Sequence, residues 1–129
     1  MTTTSEAVWT TEDVKLSATT VRLRKGGTGA PLLLLHHDVG SLDRLPFYDA
    51  LAKRFTVYLP SHPGYDGSER PTWMRSARDV AVMYQALLAT LELGQVSLVG
   101  LGFGGWIAAE MATMAPQAFR RLVLVGAMG

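Results

Sequence analysis

The spacing of Gly100, Gly102, Gly104 and Gly105 is the feature of this sequence that points most directly to chemistry. An apolar run typical of a strand precedes these glycines, and a run rich in Ala, Ile and Met with helical spacing follows at once. A turn this tight needs backbone angles that glycine adopts at low cost. Two kinds of site are built on such a turn, a dinucleotide-binding loop and an elbow that presents a catalytic nucleophile.

The dinucleotide fingerprint G-x-G-x-x-G is matched literally by Gly100, Gly102 and Gly105. Such a site also requires the turn on the first strand of its unit and an acidic residue about 20 positions further on to bind the ribose. Here the turn follows the third predicted parallel strand, and the next strand runs into Gly126 without a carboxylate. The nucleophile elbow is therefore favoured, and a dinucleotide-binding enzyme is kept as an alternative.

The elements around this turn alternate between strand and helix patterns. Apolar and polar residues alternate from Val14 to Leu23, with a break near Ala18–Thr19, which predicts an antiparallel hairpin. Continuous apolar runs predict buried parallel strands, and helical spacing predicts the helices between them. The runs are Leu32–Leu35, Phe55–Leu59, Val96–Leu101 and Leu122–Gly126, and the helices are Asp43–Phe55, Met74–Leu93, stopped by Gly94, and a third that ends at Pro116.

This order predicts an α/β fold, a three-layer sandwich in which an antiparallel N-terminal hairpin is followed by a doubly wound parallel sheet that ends after the sixth strand. Residues 1–12 are polar and are predicted to be a disordered or frayed N-terminus, and residues 13–129 a single domain. An apolar last strand at the end of the chain is expected to pair with a partner if the chain is naturally this short.

Composition bounds the partners. The chain has 129 residues, 48% of them hydrophobic and 18% charged, with a net charge of +1 and no cysteine. No run of Lys and Arg suggests nucleic acid, and no apolar run approaches the roughly 20 residues of a membrane span. The N-terminus lacks the basic start and apolar core of a secretory signal, so a cytoplasmic location is predicted. The charged pairs Glu69–Arg70 and Arg75–Arg78 are interpreted as a solvated surface.

Three segments in order resemble the α/β-hydrolase fold. Leu35–Gly40 resembles the family's His-Gly-x-x-Gly after one strand, and Ser61–Ser68 resembles Asp-x-Pro-Gly-x-Gly-x-Ser after the next. Gly100–Gly105 resembles the Gly-x-Ser-x-Gly-Gly elbow. The resemblance spans about Leu16 to Gly126, and it identifies the chain as similar to the amino-terminal portion of such a protein.

The resemblance implies roles for particular residues. In this family two backbone N–H groups form an oxyanion hole, and these positions fall on Phe103 and Asp38. The nucleophile position falls on Gly102, which has no side chain to form a covalent intermediate. The family's catalytic acid and histidine follow on later strands, beyond the sixth. The N-myc downstream-regulated family is similar in carrying glycine at the nucleophile position.

Polar residues that follow the predicted parallel strands are candidates for a ligand pocket. His36, His37, His62 and Tyr65 lie where open α/β sheets bind ligands. A simpler interpretation makes His36 a buried residue bonded to the adjacent loop, and His37 and His62 polar loop residues. No local spacing supports a metal site, and no metal or cofactor is predicted.

The sequence therefore predicts a pseudoenzyme of the hydrolase family that binds a small apolar molecule without serine-type catalysis. An active non-covalent hydrolase, completed by residues C-terminal to this sequence, is the first alternative. A dinucleotide-binding enzyme is the second.

Overall fold

The computed structural model describes residues 8–17, 19–37, 46–65 and 67–127. The strands within these ranges are β1 Trp9–Lys15, β2 Thr20–Gly26, β3 Ala30–Leu35, β4 Phe55–Pro60, β5 Val96–Leu101 and β6 Phe119–Val125. The helices are α1 Pro46–Ala52, α2 Ala77–Leu91 and α3 Phe103–Met114, followed by a short 3-10 helix, Pro116–Ala118. None of the described helices is long and apolar enough to cross a bilayer.

The strands form one six-stranded sheet in the order β1-β2-β4-β3-β5-β6. β1 pairs with β2 and β2 with β4 in antiparallel fashion, whereas β4, β3, β5 and β6 run parallel to one another. The predicted fold class, an antiparallel hairpin followed by a doubly wound parallel sheet, is confirmed. The chain reverses its direction of progress across the sheet at β3, which lies between β4 and β5. The loops that leave β3, β4 and β5 therefore meet at one edge, where α/β sheets bind ligands.

The alternation of side chains along β3 explains its run of leucines. Leu33 and Leu35 pack into one core cluster together with residues of α2 and α3. Leu32 and Leu34 pack into a second cluster with Tyr48 and other residues on the α1 side. Both faces of the strand are covered, which is why neither face carries polar residues.

The N-terminal strand begins earlier than the sequence predicts. β1 starts at Trp9, so the prediction of a frayed terminus over residues 1–12 is wrong for the last part of that range. Pairing with β2 orders these residues, since Trp9 lies opposite Gly26 in the register. The Trp9 indole N–H also donates to Asp49 Oδ1 at 2.8 Å. Residues 1–7 lie outside the described part of the chain.

The start of α2 is fixed by a capping interaction, and its end differs from the predicted one. Ser76 Oγ accepts a hydrogen bond from the Asp79 N–H at 3.1 Å, and Asp79 Oδ2 accepts from the Arg75 N–H at 2.8 Å. The helix ends at Leu91 because Glu92 takes a left-handed conformation with φ 54°, so Gly94 is not the stop. The predicted helix over Asp43–Phe55 corresponds to the shorter α1, and its first residues lie outside the described ones.

The last strand is exposed, which contradicts the prediction that it is buried. β6 pairs with β5 along one edge, and none of the described strands pairs with its other edge. Leu122, Val123, Leu124 and Val125 are each 40–49% exposed. The apolar run correctly predicts a strand, but its burial depends on groups that the described residues do not supply.

Candidate functional site

The turn between β5 and α3 has the strained backbone of an elbow. Gly102 occupies it with φ 55° and ψ −118°, a combination that residues with a side chain rarely adopt. Its N–H donates to the Val125 carbonyl at 2.9 Å, and its carbonyl accepts from the Gly105 N–H at 2.9 Å. These bonds attach the elbow to the end of β6 and to the first turn of α3.

The neighbouring glycines allow the helix to approach the strands closely. A Cβ atom on Gly100 would lie 2.5 Å from the Gly104 carbonyl oxygen. A Cβ atom on Gly104 would lie 2.6 Å from the His36 carbonyl oxygen. Both distances are shorter than van der Waals contact, so these positions have no room for side chains.

His37 lies beside the elbow. A Cβ atom on Gly102 would lie 2.9 Å from His37 Cδ2, and the other contacts near that position are also to the His37 side chain. His37 itself is exposed. The imidazole thus borders the space into which a side chain at residue 102 would project.

The histidine network, defined here as His36, His62 and Tyr84, lies behind the elbow. The His62 N–H donates to His36 Nε2 at 2.8 Å, so His36 carries its proton on Nδ1, which donates to the His37 carbonyl. His62 Nε2 is 2.8 Å from the His36 carbonyl oxygen and must be the protonated nitrogen. His62 Nδ1 then accepts from the Tyr84 hydroxyl at 2.6 Å. Every ring nitrogen of both histidines has a partner.

Burial keeps His62 and Tyr84 neutral. Desolvation is the largest cause that lowers the pKa of His62 to about 3, and the adjacent His36 lowers it further, while a hydrogen bond to the His36 backbone opposes the shift. Burial also raises the pKa of Tyr84 well above its ordinary value. His62 lies in the loop after β4, as the simpler interpretation predicts, but it is buried there, with 1% exposure. The simpler interpretation of His36 as a buried residue bonded to the adjacent loop is confirmed.

A cavity of about 600 Å³ opens between the loop after β4 and the first turns of α2 and α3. Its walls are His62, Pro63, Gly64, Tyr65, Arg70, Met74, Arg75, Ser76, Ala77, Val80, Phe103 and Trp106.

The cavity brings together part of the predicted site. His62, Tyr65 and Phe103 line it, and the Phe103 ring meets the His62 ring edge to face at 5.7 Å between centroids. His36 stacks behind His62 at 3.6 Å, and it is not a wall residue. His37 lies at the elbow and is not a wall residue either. Asp38, the second predicted oxyanion donor, lies outside the described residues.

Sequence reasoning missed the contributions of Tyr84, Arg70 and Arg75. Tyr84 fits the apolar stripe of α2, yet a buried tyrosine hydroxyl requires a partner, and that requirement was the available signal. Arg70 and Arg75 are exposed, as the interpretation of a solvated surface predicts, and both also line the cavity. Within the described ranges, no cluster of three or more His, Cys, Asp or Glu residues could hold a metal ion.

A mixed sheet in which a tight turn joins one parallel strand to the following helix is typical of the α/β-hydrolase fold. The sequence pattern of the alpha/beta hydrolase fold family matches residues 30–129, which is most of the chain. The chain therefore belongs to this family, and by homology it is a hydrolase-family protein.

Individual relatives agree with this assignment. The chain is 38% identical over 113 residues to 2-hydroxymuconate semialdehyde hydrolase of Pseudomonas sp. strain CF600, covering 83% of this chain and 40% of that protein. It is 32% identical over 108 residues to 2-hydroxy-6-oxo-2,4-heptadienoate hydrolase of Pseudomonas putida, covering 80% of this chain and 39% of that protein. Cfl2 from Burkholderia cenocepacia has the same fold, with a TM-score of 0.82 and 24% identity over 92% of this chain and 42% of Cfl2. The chain thus spans about 40% of the length of these curated relatives.

Proposed function

We propose that this chain binds a small, largely apolar molecule in the cavity beside the elbow and does not carry out serine-type hydrolysis. The observation that carries the proposal is Gly102. It stands between Gly100 and Gly104, at the middle position of the G-x-S-x-G pattern, and it has no atom beyond Cα that could attack a carbonyl.

Ser68, one of two serines in the loop after β4, is not a substitute nucleophile. Its hydroxyl donates to the Ser61 carbonyl at 2.8 Å and accepts from the Arg22 N–H at 2.8 Å. The residue is also 8% exposed. A hydroxyl that closes a loop through two backbone bonds is a structural group.

The cavity suits a small organic molecule. Its volume of about 600 Å³ falls within the range of ordinary ligand pockets. Met74, Val80, Phe103 and Trp106 supply apolar wall, and His62 stays neutral because burial depresses its pKa. The two named relatives are hydrolases of small organic molecules by their names, which agrees with a ligand of this size.

The start of α3 supplies the polar contact in this proposal. Phe103 is the first residue of the helix, where backbone N–H groups lack intrahelical partners and favour negative charge. Its N–H would donate to a carbonyl oxygen of the bound molecule. Asp38 remains the expected second donor.

A non-covalent hydrolase is the second candidate, and the position of His37 favours it. An imidazole beside Gly102 would accept a proton from a water molecule as that water attacks a carbonyl carbon. This candidate predicts ester turnover by the wild type that His37→Gln abolishes. The dinucleotide alternative is less well supported, because the glycine turn follows β5 rather than the first strand of the parallel unit. Tight binding in a fluorescence titration with NAD would revive it.

Hydrolysis of p-nitrophenyl esters by the intact protein tests the proposal. We expect the wild type to release p-nitrophenol no faster than buffer. Gly102→Ser is the informative variant, and Gly94→Ser is its matched control, because Gly94 also has a positive φ but open space around it. Strong turnover by the wild type would overturn the proposal. Turnover that appears in Gly102→Ser and not in Gly94→Ser would locate the missing group at the elbow.

A further inference from the structure

We propose that the molecule bound in this cavity carries an anionic head group, a carboxylate or a phosphate, which Arg70 and Arg75 bind. This inference rests on the proposed function, because it assigns the ligand class of the same cavity. Both arginines are exposed residues of the cavity wall, together with an apolar surface of Met74, Phe103 and Trp106. A wall with both characters matches a molecule with an apolar body and a charged end.

The charge of the cavity wall is positive on balance. Its wall residues include two arginines and no Asp or Glu. His62 contributes no charge near neutral pH, since desolvation holds its pKa at about 3. The wall residues alone therefore give the cavity a charge of about +2 at neutral pH.

The arginines of the cavity differ from the paired arginines nearby. Arg78 donates to Glu110 Oε1 at 3.2 Å, and Arg22 donates to Asp13 Oδ1 at 2.8 Å. Among the described residues, neither Arg70 nor Arg75 forms an ion pair with a carboxylate. Arg70 donates to the Met74 carbonyl at 3.3 Å through Nη2, which leaves its other N–H groups available.

Arginine fits this role because its planar guanidinium offers parallel N–H donors to carboxylate and phosphate oxygens. Arg70 lies beside Gly64, another wall residue, since its Cβ and Cδ lie 3.6 and 3.7 Å from where a Cβ atom on Gly64 would be. Two such residues on one wall, within reach of an apolar surface, form a polar end and an apolar end in one cavity. We expect head-group charge to determine which ligands bind.

Calorimetric titration of the intact protein with three probes that share one apolar body tests the inference. The probes are phenylbutyrate, phenylbutyl phosphate and the neutral phenylbutanol. We expect the two anions to bind at least about tenfold more tightly than the alcohol, with a preference that weakens as salt is added. The relative affinities of the two anions identify the preferred head group. A parallel NMR titration follows the indole N–H resonance of Trp106. Because Trp106 is a wall residue, its chemical shift should change when a probe occupies the cavity.

Variants connect this preference to the arginines. Arg70→Gln combined with Arg75→Gln is expected to reduce the preference for anions to less than about threefold, while affinity for phenylbutanol stays unchanged. Arg75→Gln and Arg78→Gln form a matched pair of single changes three residues apart, and only Arg75→Gln should weaken anion binding, because Arg78 is not a wall residue. Equal binding of acid and alcohol by the wild type would overturn the inference and leave the proposed function standing. Failure of all three probes to bind or to shift Trp106 would instead count against the proposed function itself.

Discussion

The histidine network and the Gly102 elbow lie at the same edge of the sheet, and they differ in whether their polar groups have partners within the protein. In the network, His62 and Tyr84 are buried, and each polar ring atom has a partner within the protein. At the elbow no side chain is present, and the adjoining cavity carries Arg70 and Arg75 without carboxylate partners among the described residues. This difference agrees with a network that stabilises the fold and with the proposed role of the elbow and the cavity in binding a ligand.

A histidine near such an elbow is therefore weak evidence of catalysis by itself. His62 cannot act as a base near neutral pH in a useful way, because its Nδ1 already accepts from Tyr84 and its Nε2 faces a carbonyl. Its pKa is lowered because the side chain is buried, where it joins the segment after β4 to the segment after β3. His37, by contrast, is exposed and borders the elbow.

The largest loss of stability is expected where the backbone of α3 contacts the backbone at the end of β3. Gly104→Ala would place a Cβ atom 2.6 Å from the His36 carbonyl oxygen, so α3 would have to move away from β3. We expect the free energy of unfolding to fall by about 3 kcal/mol in urea denaturation. Gly94→Ala is the control, since it has a positive φ and open surroundings and should cost about 1 kcal/mol. Equal losses in the two variants would contradict close packing at the elbow.

The network should make stability depend on pH. Because the pKa of His62 is about 3 in the folded protein and 6.5 in the unfolded chain, the unfolded state binds more protons between these values. The free energy of unfolding contributed by this group is therefore fully present above pH 6.5 and falls by about 1.4 kcal/mol per pH unit below it, until about pH 3. Urea denaturation at pH 7.5 and 4.5 measures the slope. The variant His62→Gln does not titrate at this position and should show a shallower slope, and an unchanged slope would remove His62 from the explanation.

A smaller effect is expected when one hydrogen bond of the network is removed. Tyr84→Phe leaves His62 Nδ1 buried without a donor, which should lower the free energy of unfolding by about 2 kcal/mol. Tyr58→Phe is a matched control in the same core cluster, and no hydrogen bond of its hydroxyl is among the described interactions. If both variants lose the same stability, the Tyr84 hydroxyl is not a required partner.

Local patterns in the sequence predict much of this fold. The run Leu32–Leu35 indicates a strand covered on both sides, because both of its faces are apolar. The spacing of Gly100 and Gly104 indicates the elbow, because the close approach of strand and helix leaves no room for side chains at these two positions. The family resemblance adds the identity of the turn, which spacing alone leaves open between two kinds of site.

Features that depend on distant packing could not be predicted in the same way. The burial of His62 requires Tyr84, which lies 22 positions away on a helix that packs over the loop. The start of β1 at Trp9 is held by the hydrogen bond from the Trp9 indole to Asp49, which lies 40 positions away in the sequence. For β6 the apolar pattern predicts a covered strand, but coverage depends on what packs against it, and the described residues leave it exposed. In the sequence Arg70 and Arg75 resemble ordinary surface charges, and only the fold shows that both line a cavity beside α3.

Covalent labelling tests the central claim most directly, because it asks whether the elbow offers a nucleophile. The intact protein is incubated with a fluorophosphonate probe that forms a stable bond with activated serine, and its mass is measured. The account predicts that the wild-type mass stays unchanged, since Gly102 has no side-chain atom to react. A stoichiometric adduct on any residue of the cavity wall or of the elbow would contradict it.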